Sequence, residues 1–209
     1  MLDVRKIRLT LELREAGIFN TDVLSAIEKI PRENFIPENF KNQAYENIAL
    51  PIGKNQTISQ PYIVALMTQS LNLKNTHKVL ELGTGTGYQA SILSTLCRRV
   101  YTIERIKSLL VTAENNFKNL NITNVVTKHA DGNIGWPEQI PFDRIIFTAA
   151  TKKITNNIFN HLKNNGIIVA PIIEKSNQVL KKYTKNGDEI EEEFLSDVMF
   201  VPNIDGTKD

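Results

Sequence analysis

The sequence predicts an α/β fold: a Rossmann-like, mostly parallel sheet of seven strands with helices on both faces. Three observations lead to this prediction. Short apolar runs alternate with helix-like segments through residues 59–175, and such alternation is typical of parallel strands joined by right-handed crossovers. A glycine-rich turn, GTGTG, follows the apolar run VLEL within that region. Nearer the C-terminus, residues 178–202 hold two β-rich runs around an Asn-Gly pair, which is typical of antiparallel strands.

Residues 1–50 are predicted to form a helical N-terminal extension. The triplet Asn20-Thr21-Asp22 offers side-chain oxygens of the kind that N-cap a helix. The apolar residues that follow recur at a spacing that places them on one helix face: Val23, Leu24, Ala26, Ile27 and Ile30. Because proline interrupts a helix, Pro31 and Pro37 end this pattern.

The alternating region, residues 59–175, is predicted to be the ligand-binding α/β core. Its helices are the longer segments and its strands are the short apolar runs. The predicted helices cover residues 61–71, 88–96, 106–120 and 155–163. The predicted strands cover residues 77–82, 99–104, 125–129, 142–149 and 166–173.

Residues 178–202 are predicted to add two antiparallel strands at one side of the sheet. The β-rich runs cover residues 179–184 and 194–201. Between them lie the turn signal Asn186-Gly187 and the acidic stretch EIEEE, which we assign to the connection. Together with the five core strands, these runs complete the predicted seven-stranded sheet.

Length and charge bound the class of protein. A chain of 209 residues with 41% apolar residues fits one domain, 1–209, with a substantial core. The 25 basic and 23 acidic residues are interspersed, and the net charge is +2. Because no polybasic run occurs, the sequence gives little support for nucleic acid or a membrane as the main partner.

Cysteine usage and the N-terminal stretch favour a cytoplasmic protein. Cys97 is the one cysteine, so a disulfide within the chain cannot form, and a reducing compartment is expected. The stretch MLDVRKIRLTLELREAG mixes charges into every turn, unlike a signal peptide. No apolar run approaches the length that spans a bilayer.

The glycine-rich turn predicts a ligand site, because ligands of open parallel sheets lie beyond the carboxyl ends of the strands. The dinucleotide fingerprint G-x-G-x-x-G would require glycine at position 88, where this chain has Tyr88. Glu81 lies two residues before Gly83, and its carboxylate would repel a pyrophosphate but attract a sulfonium or ammonium group. The alternative role for Glu81 is to cap backbone groups of the turn. We therefore predict that Gly83, Thr84 and Gly85 hold a cationic nucleoside rather than a phosphate.

Two further acids follow the next two predicted strands. Glu104 comes about 20 residues after the loop, where an acid can accept both hydroxyls of a ribose in NAD or S-adenosylmethionine. Asp131-Gly132 follows the third strand, where a carboxylate could accept from an adenine amino group. Taken singly, Glu104 could be an exposed strand end and Asp131-Gly132 an ordinary turn.

Upstream of the loop, Ser59 in the segment KNQTISQPYIVALMTQSL has two possible roles. It could cap the helix that begins near Pro61, with the proline in the permissive first turn. On composition alone this structural role is favoured over a catalytic one.

Five segments in order closely resemble the protein-L-isoaspartate O-methyltransferase family, which is a class I S-adenosylmethionine-dependent family. The segments are ALPIGKNQTISQPYIVALM, VLELGTGTGYQA, VYTIERI, DGNIGWPEQIPFDRIIFTAA and the C-terminal FVP. The resemblance extends from about Ile30 to Pro202. The glycine loop alone marks only the superfamily, whereas TISQPY followed by that loop is specific to this family.

The resemblance implies the residues that act. The catalytic serine falls on Ser59, the S-adenosylmethionine loop on Gly83, Thr84 and Gly85, the ribose acid on Glu104 and the adenine-side acid on Asp131. We add Glu81 and Gly132 to the predicted cofactor site, and Thr57 and Val201 to the predicted substrate site. No metal is implied, and the three histidines are expected to be structural.

The resemblance also implies a protein-repair activity. The family methylates the free α-carboxylate of L-isoaspartyl residues in damaged proteins and peptides, which leaves S-adenosylhomocysteine. The ester closes to a succinimide that can reopen as normal aspartate. A monomer is expected, as is usual in the family. This chain departs from the family pattern at Ala130, Asn133 and Met199, so peptide preference and the adenine-side contacts stay open.

Three alternatives remain open from the sequence. The nearest is a class I methyltransferase that acts on a small molecule or RNA. A non-enzymatic sensor of S-adenosylmethionine or a nucleotide would keep the loop and the acids without needing TISQPY. An NAD-linked oxidoreductase is disfavoured by Tyr88 and Glu81.

Overall fold

A computed structural model describes residues 3–209. The helices are α1 (Val4–Glu15), α2 (Thr21–Lys29), α3 (Pro61–Ser70), α4 (Tyr88–Ser94), α5 (Lys107–Asn119) and α6 (Asn156–His161). The strands are β1 (Leu50–Gly53), β2 (Gln56–Ile58), β3 (Lys78–Leu82), β4 (Arg99–Glu104), β5 (Val125–His129), β6 (Phe142–Phe147), β7 (Leu162–Glu174), β8 (Asn177–Asn186) and β9 (Glu189–Asp197).

Seven of these strands form one sheet in the order β5-β4-β3-β6-β7-β8-β9. The first five strands in this order pair in parallel, and β8 and β9 add two antiparallel pairs at one side. The predicted fold class is therefore confirmed. Strand order reverses between β3 and β6, and a crevice opens at such a point beyond the carboxyl ends of the strands.

The central strands are apolar on both sides because each side is covered. Successive residues of β3 alternate between two apolar clusters. Leu80 packs with Tyr101 and Trp136 on one face, whereas Val79 packs with Leu93 on the face that α4 covers. This two-sided burial explains why the strands are near-continuous hydrophobic runs in the sequence.

The N-terminal extension packs onto this core. Asn20 caps α2 as predicted, since its side chain accepts hydrogen bonds from the N–H groups of Asp22 and Val23. Leu9 and Leu13 of α1 belong to the same apolar cluster as Ile92 and Leu109 of the α/β core. Along residues 3–209, no helix combines the length and the apolar character that crossing a membrane requires.

The last predicted strand was misplaced. The chain enters β9 at Glu189 and leaves it at Asp197, so the acidic stretch lies inside the strand rather than in the connection. Lys182 of β8 pairs with Glu193 at 2.8 Å, and Lys181 pairs with Glu192 at 2.5 Å. Cross-strand pairs of opposite charge stabilise a strand whose own residues have poor β propensity.

The hairpin β1–β2 was not predicted from the sequence. Its strands are short, its turn uses positive φ values of 55° at Lys54 and 58° at Asn55, and Pro51 occupies an edge. The segment 199–201, predicted as strand, instead leaves the sheet beyond β9. The N–H of Ala150 donates to the carbonyl of Val201 at 2.8 Å, which directs the following residues to the carboxyl ends of β3 and β6.

Candidate active site

A cleft lies at the carboxyl ends of β3, β4 and β6, with an empty volume of about 910 Å³ including its open mouth. Eight of the ten residues predicted for the site line it: Thr57, Ser59, Gly83, Thr84, Gly85, Glu104, Gly132 and Val201. Glu81 and Asp131 do not line the cleft, and their positions are described below.

The glycine loop brings backbone directly against the cleft. Gly83 has a φ of +106° and Gly85 a φ of +56°, a left-handed region that favours glycine. At Gly83 a Cβ would collide with the hydroxyl of Thr148. That hydroxyl donates to the carbonyl of Gly83 at 2.5 Å, and the N–H of Gly83 donates to the carbonyl of Ile103 at 2.9 Å. The loop is thus held between β4 and β6 and can adopt this path only with glycine at 83.

Glu104 lines the cleft with a carboxylate whose hydrogen-bond acceptor positions are only partly filled. Its side chain is 5% exposed. Its Oε2 accepts from the N–H of Gly85 at 2.8 Å, and its Oε1 accepts from the N–H of Ile106 at 2.9 Å. A carboxylate has about four acceptor positions, so each oxygen keeps capacity for one hydroxyl. Burial raises the pKa of this carboxyl, and the backbone hydrogen bonds oppose that rise.

Glu81 lies beneath the loop and is fully buried. Thr102 Oγ1 donates to its Oε2 at 2.5 Å, and Thr84 Oγ1 lies 2.6 Å from Thr102 Oγ1. Burial raises the pKa of Glu81 to about 8, and the bond from Thr102 counteracts part of the rise. Within residues 3–209, Oε1 of Glu81 has no hydrogen-bond partner. Glu81 can therefore influence a ligand through its electric field and through the hydroxyl chain to Thr84.

Asp131 is partly exposed and does not line the cleft. Its Oδ1 accepts from the N–H of Asn133 at 2.9 Å, and its Oδ2 accepts from the N–H of Gly206 at 2.7 Å. Asn133 Nδ2 in turn donates to Asp205 Oδ1 at 2.7 Å. The C-terminal tail is thus anchored over this edge, which the sequence did not indicate. Gly132, the residue after Asp131, does line the cleft.

Ser59 follows β2 and faces the loop across the cleft. The N-cap position of α3 is Gln60, and α3 has no side-chain capping hydrogen bond. The capping role considered for Ser59 is therefore wrong in this structure. The half-buried Ser59 lines the cleft together with the exposed Thr57.

Several cleft residues were not among the predicted site residues. Thr148 follows β6, Ile52 comes from the unpredicted hairpin, and the segment from Pro202 to Ile204 comes from the anchored tail. Ile52 and Pro202 lie in segments that carry the family resemblance, but no role was assigned to them. Each reaches the cleft through contacts between segments that are distant in sequence. Thr148 lay inside the predicted strand 142–149, whereas β6 ends at Phe147 and leaves Thr148 at its carboxyl end beside that of β3.

The three histidines make local backbone contacts. Nδ1 of His77 accepts from the N–H of Lys74 at 3.1 Å. A ring nitrogen of His129 lies 3.0 Å from the carbonyl of Arg105, and one of His161 lies 2.6 Å from the carbonyl of Asn157. In the part of the chain that the structure describes, no group of three His, Cys, Asp or Glu residues is arranged to hold a metal ion.

Comparison with known proteins gives one consistent family. The family model described as protein-L-isoaspartate(D-aspartate) O-methyltransferase matches residues 4–208. A protein-L-isoaspartate O-methyltransferase of Maricaulis maris (strain MCS10) is 50% identical over 204 residues, which is 98% of this chain and 96% of the relative. One of Aliivibrio fischeri (strain ATCC 700601 / ES114) is 50% identical over 206 residues, which is 99% of each chain.

Two solved structures have the same fold over nearly the whole chain. A structure named protein-L-isoaspartate O-methyltransferase superposes with a TM-score of 0.87 at 27% identity, over 94% of this chain and 65% of its own. A second, described as a beta-aspartate methyltransferase from Plasmodium falciparum in complex with S-adenosyl-L-homocysteine, has a TM-score of 0.83 at 26% identity. The superposition covers 97% of that chain and 94% of this one.

Proposed function

The chain belongs to the protein-L-isoaspartate(D-aspartate) O-methyltransferase family, and we propose from the geometry of the cleft how its residues carry out the reaction. The protein is an S-adenosylmethionine-dependent repair methyltransferase. It esterifies the free α-carboxylate of isoaspartyl residues in damaged proteins and peptides, and the ester proceeds through a succinimide toward aspartate. A methyltransferase acting on a small molecule or RNA is not favoured by the relatives.

One observation carries the proposed assignment of residues. The glycine loop and Glu104 line the same cleft as Ser59, which comes from a separate hairpin. A donor on the loop side and an acceptor beside Ser59 would therefore meet within one partly enclosed space. S-adenosylmethionine supplies the methyl group.

The cleft residues fit this cofactor. Glu104 keeps one acceptor position on each oxygen, which suits the two hydroxyls of a ribose. Glu81 lies under the loop with an unpaired Oε1. Burial favours its protonated form at neutral pH, so attraction to the sulfonium and ammonium requires that the bound cation stabilise the ionised carboxylate. Gly83, Thr84 and Gly85 let the backbone approach closely, and Gly132 forms the far edge. Asp131 acts indirectly, because it holds the tail and Asn133 beside the adenine position.

The acceptor chemistry needs no general base. The substrate carboxylate has a reference pKa of about 3.3–3.9 and is ionised at neutral pH. Ser59 donates a hydrogen bond to one carboxylate oxygen and so orients the other. A neutral hydroxyl does this without neutralising the nucleophile. The gain comes from alignment and from excluding water from two opposite charges.

The peptide binds in extended form between two walls. Thr57 is exposed on the hairpin, and the partly exposed Val201 lies on the tail side of the same cleft. Both walls consist largely of non-helical backbone, which supports main-chain recognition. Such recognition suits a substrate that occurs in many sequence contexts.

The same proposal includes a monomer in the cytoplasm with no nucleic-acid partner. The interspersed charges and the net charge of +2 support the absence of a nucleic-acid partner. The single cysteine, Cys97, is buried and free, which suits a reducing compartment. A single domain over 1–209 is supported by the apolar cluster that joins Leu13 of α1 to Leu109 of α5.

A paired-peptide assay tests the proposed function. The full chain is incubated with labelled S-adenosylmethionine and an isoaspartyl peptide, and in parallel with the same peptide carrying normal aspartate. We expect base-labile label on the isoaspartyl peptide alone. Equal labelling of both peptides, or labelling of neither, would contradict the proposal.

A further inference from the structure

Arg32 is a buried arginine whose guanidinium donates hydrogen bonds to backbone carbonyls. Its side chain is 0% exposed, and no ion pair among residues 3–209 includes it. Its Nη1 donates to the carbonyl of Ala44 at 2.8 Å, and its Nη2 donates to the carbonyls of Ile48 at 2.9 Å and Ser59 at 3.1 Å. One guanidinium thus ties the stretch before β1 to the residue proposed to orient the substrate.

The turn that carries Arg32 is also tied to the glycine loop. Arg32 and Phe35 are the two ends of one short 3₁₀ helix. The hydroxyl of Thr86, in the loop, donates to the carbonyl of Phe35 at 2.7 Å. The ring of Phe35 packs against that of Tyr88 with centroids 5.4 Å apart. A continuous path therefore runs from Ser59 through Arg32 and Phe35 to the loop.

The choice of arginine matches this geometry. Its planar group presents five N–H donors in a rigid fork, so it can hold several carbonyls in fixed relative positions. Lysine would provide a single mobile ammonium and could not hold the same set. An unpaired buried charge is costly to keep, and a purely structural packing position would be filled more favourably by an apolar side chain.

We propose that Arg32 is a positioning residue, which sets Ser59 at a defined place relative to the glycine loop. It touches neither substrate nor cofactor. The inference rests on the proposed role of Ser59 and extends it. The alignment that Ser59 provides depends on the buried guanidinium of Arg32, which lies on a separate segment. Loss of the fork should lower turnover while leaving the cofactor side of the cleft intact.

Arg32→Lys in the full chain tests this, with Arg144→Lys as a matched control. Arg144 is also buried and also serves backbone carbonyls, since its Nε donates to Leu71 at 2.5 Å and its Nη2 to Asn72 at 3.2 Å. It lies near the start of β6, away from the carboxyl ends where the cleft opens. Both variants should lower the unfolding temperature.

Only Arg32→Lys should lower kcat for an isoaspartyl peptide, by about tenfold or more, with affinity for S-adenosylhomocysteine within about twofold of wild type. A kcat within about twofold of wild type would overturn the proposal. So would an equal fall in kcat for Arg144→Lys. Arg32→Lys in a Ser59→Ala background should cause no further fall, and an additive fall would contradict action through Ser59.

Thr86→Val keeps the proposal testable if Arg32→Lys does not fold. It removes the hydroxyl that holds Phe35, and Thr86→Ser retains it. We expect kcat to fall in Thr86→Val and to stay near the wild-type value in Thr86→Ser. An unchanged kcat in Thr86→Val would contradict the proposed connection from Ser59 to the loop. If Ser59→Ala alone leaves kcat unchanged, the proposed role of Ser59 fails instead, which is a separate result.

Discussion

Replacing Glu104 by glutamine should weaken cofactor binding strongly. In the wild type, each carboxylate oxygen already accepts one backbone N–H, from Gly85 at 2.8 Å and from Ile106 at 2.9 Å. A glutamine amide keeps one acceptor oxygen and replaces the other with an NH₂ donor. Whichever way the amide is oriented, one backbone N–H and one ribose hydroxyl lose their acceptor.

The expected size follows from that loss. A hydrogen bond to a charged group contributes about 1.5–3 kcal/mol, which corresponds to a rise of roughly 10- to 150-fold in the Kd for S-adenosylhomocysteine. Stability should also fall, because the orphaned N–H of Gly85 or Ile106 faces a second donor. The Kd is measured by titration calorimetry on protein whose fold is checked by circular dichroism.

The matched control is Glu114→Gln. Glu114 also accepts a short hydrogen bond, from the hydroxyl of Thr127 at 2.6 Å, but it is on the exposed surface of α5. Its replacement should leave the Kd within about twofold of wild type. If Glu104→Gln bound S-adenosylhomocysteine as tightly as Glu114→Gln does, Glu104 would not be the ribose acceptor.

Two further changes separate the roles of the other residues. Ser59→Ala should lower kcat by about 10- to 100-fold, because it removes one hydrogen bond to a charged group. The affinity for S-adenosylhomocysteine should stay unchanged. A kcat within about twofold of wild type would refute the orienting role. Glu81 has its pKa raised to about 8 from an ordinary 4.5, so its protonated form favours the folded state. That contribution is complete below the ordinary pKa and is lost as pH rises through about 8. Glu81→Gln should therefore show a smaller fall in unfolding temperature than wild type between about pH 4.5 and 8. An equal fall in the two proteins would contradict the burial of an ionisable group at this position.

The parallel core could be predicted because its signals are local. Each central strand is buried on both faces, so β3, β4 and β6 are apolar runs with helices between them. Glycine at 83 was recognisable because the positive φ of the loop tolerates little else. The acids at the ends of β3 and β4 followed from the rule that ligands lie at carboxyl ends.

The edge of the sheet was less predictable. Residues 189–193 have the composition of a connection, and their pairing with β8, including two ion pairs to its lysines, makes a strand favourable. The strand was therefore placed too late in the chain, and residues 199–201 were assigned to it. The hairpin before Ser59 consists of strands of only four and three residues. Its alternation is too short to stand out, so its strands were missed and a capping role for Ser59 was favoured on composition.

The sequence by itself determined the chemical inventory of this protein: a glycine loop without a phosphate motif, acids after successive strands, and a serine ahead of a helix. The tertiary structure alone decided how these groups are used. Glu104 lines the cleft with spare acceptor capacity, Glu81 is fully buried, and Asp131 is bonded to the tail and does not line the cleft. The reason is physical: backbone periodicity sets which face a side chain occupies, whereas exposure, hydrogen-bond partners and the reach of Arg32 to Ser59 arise from packing between distant segments.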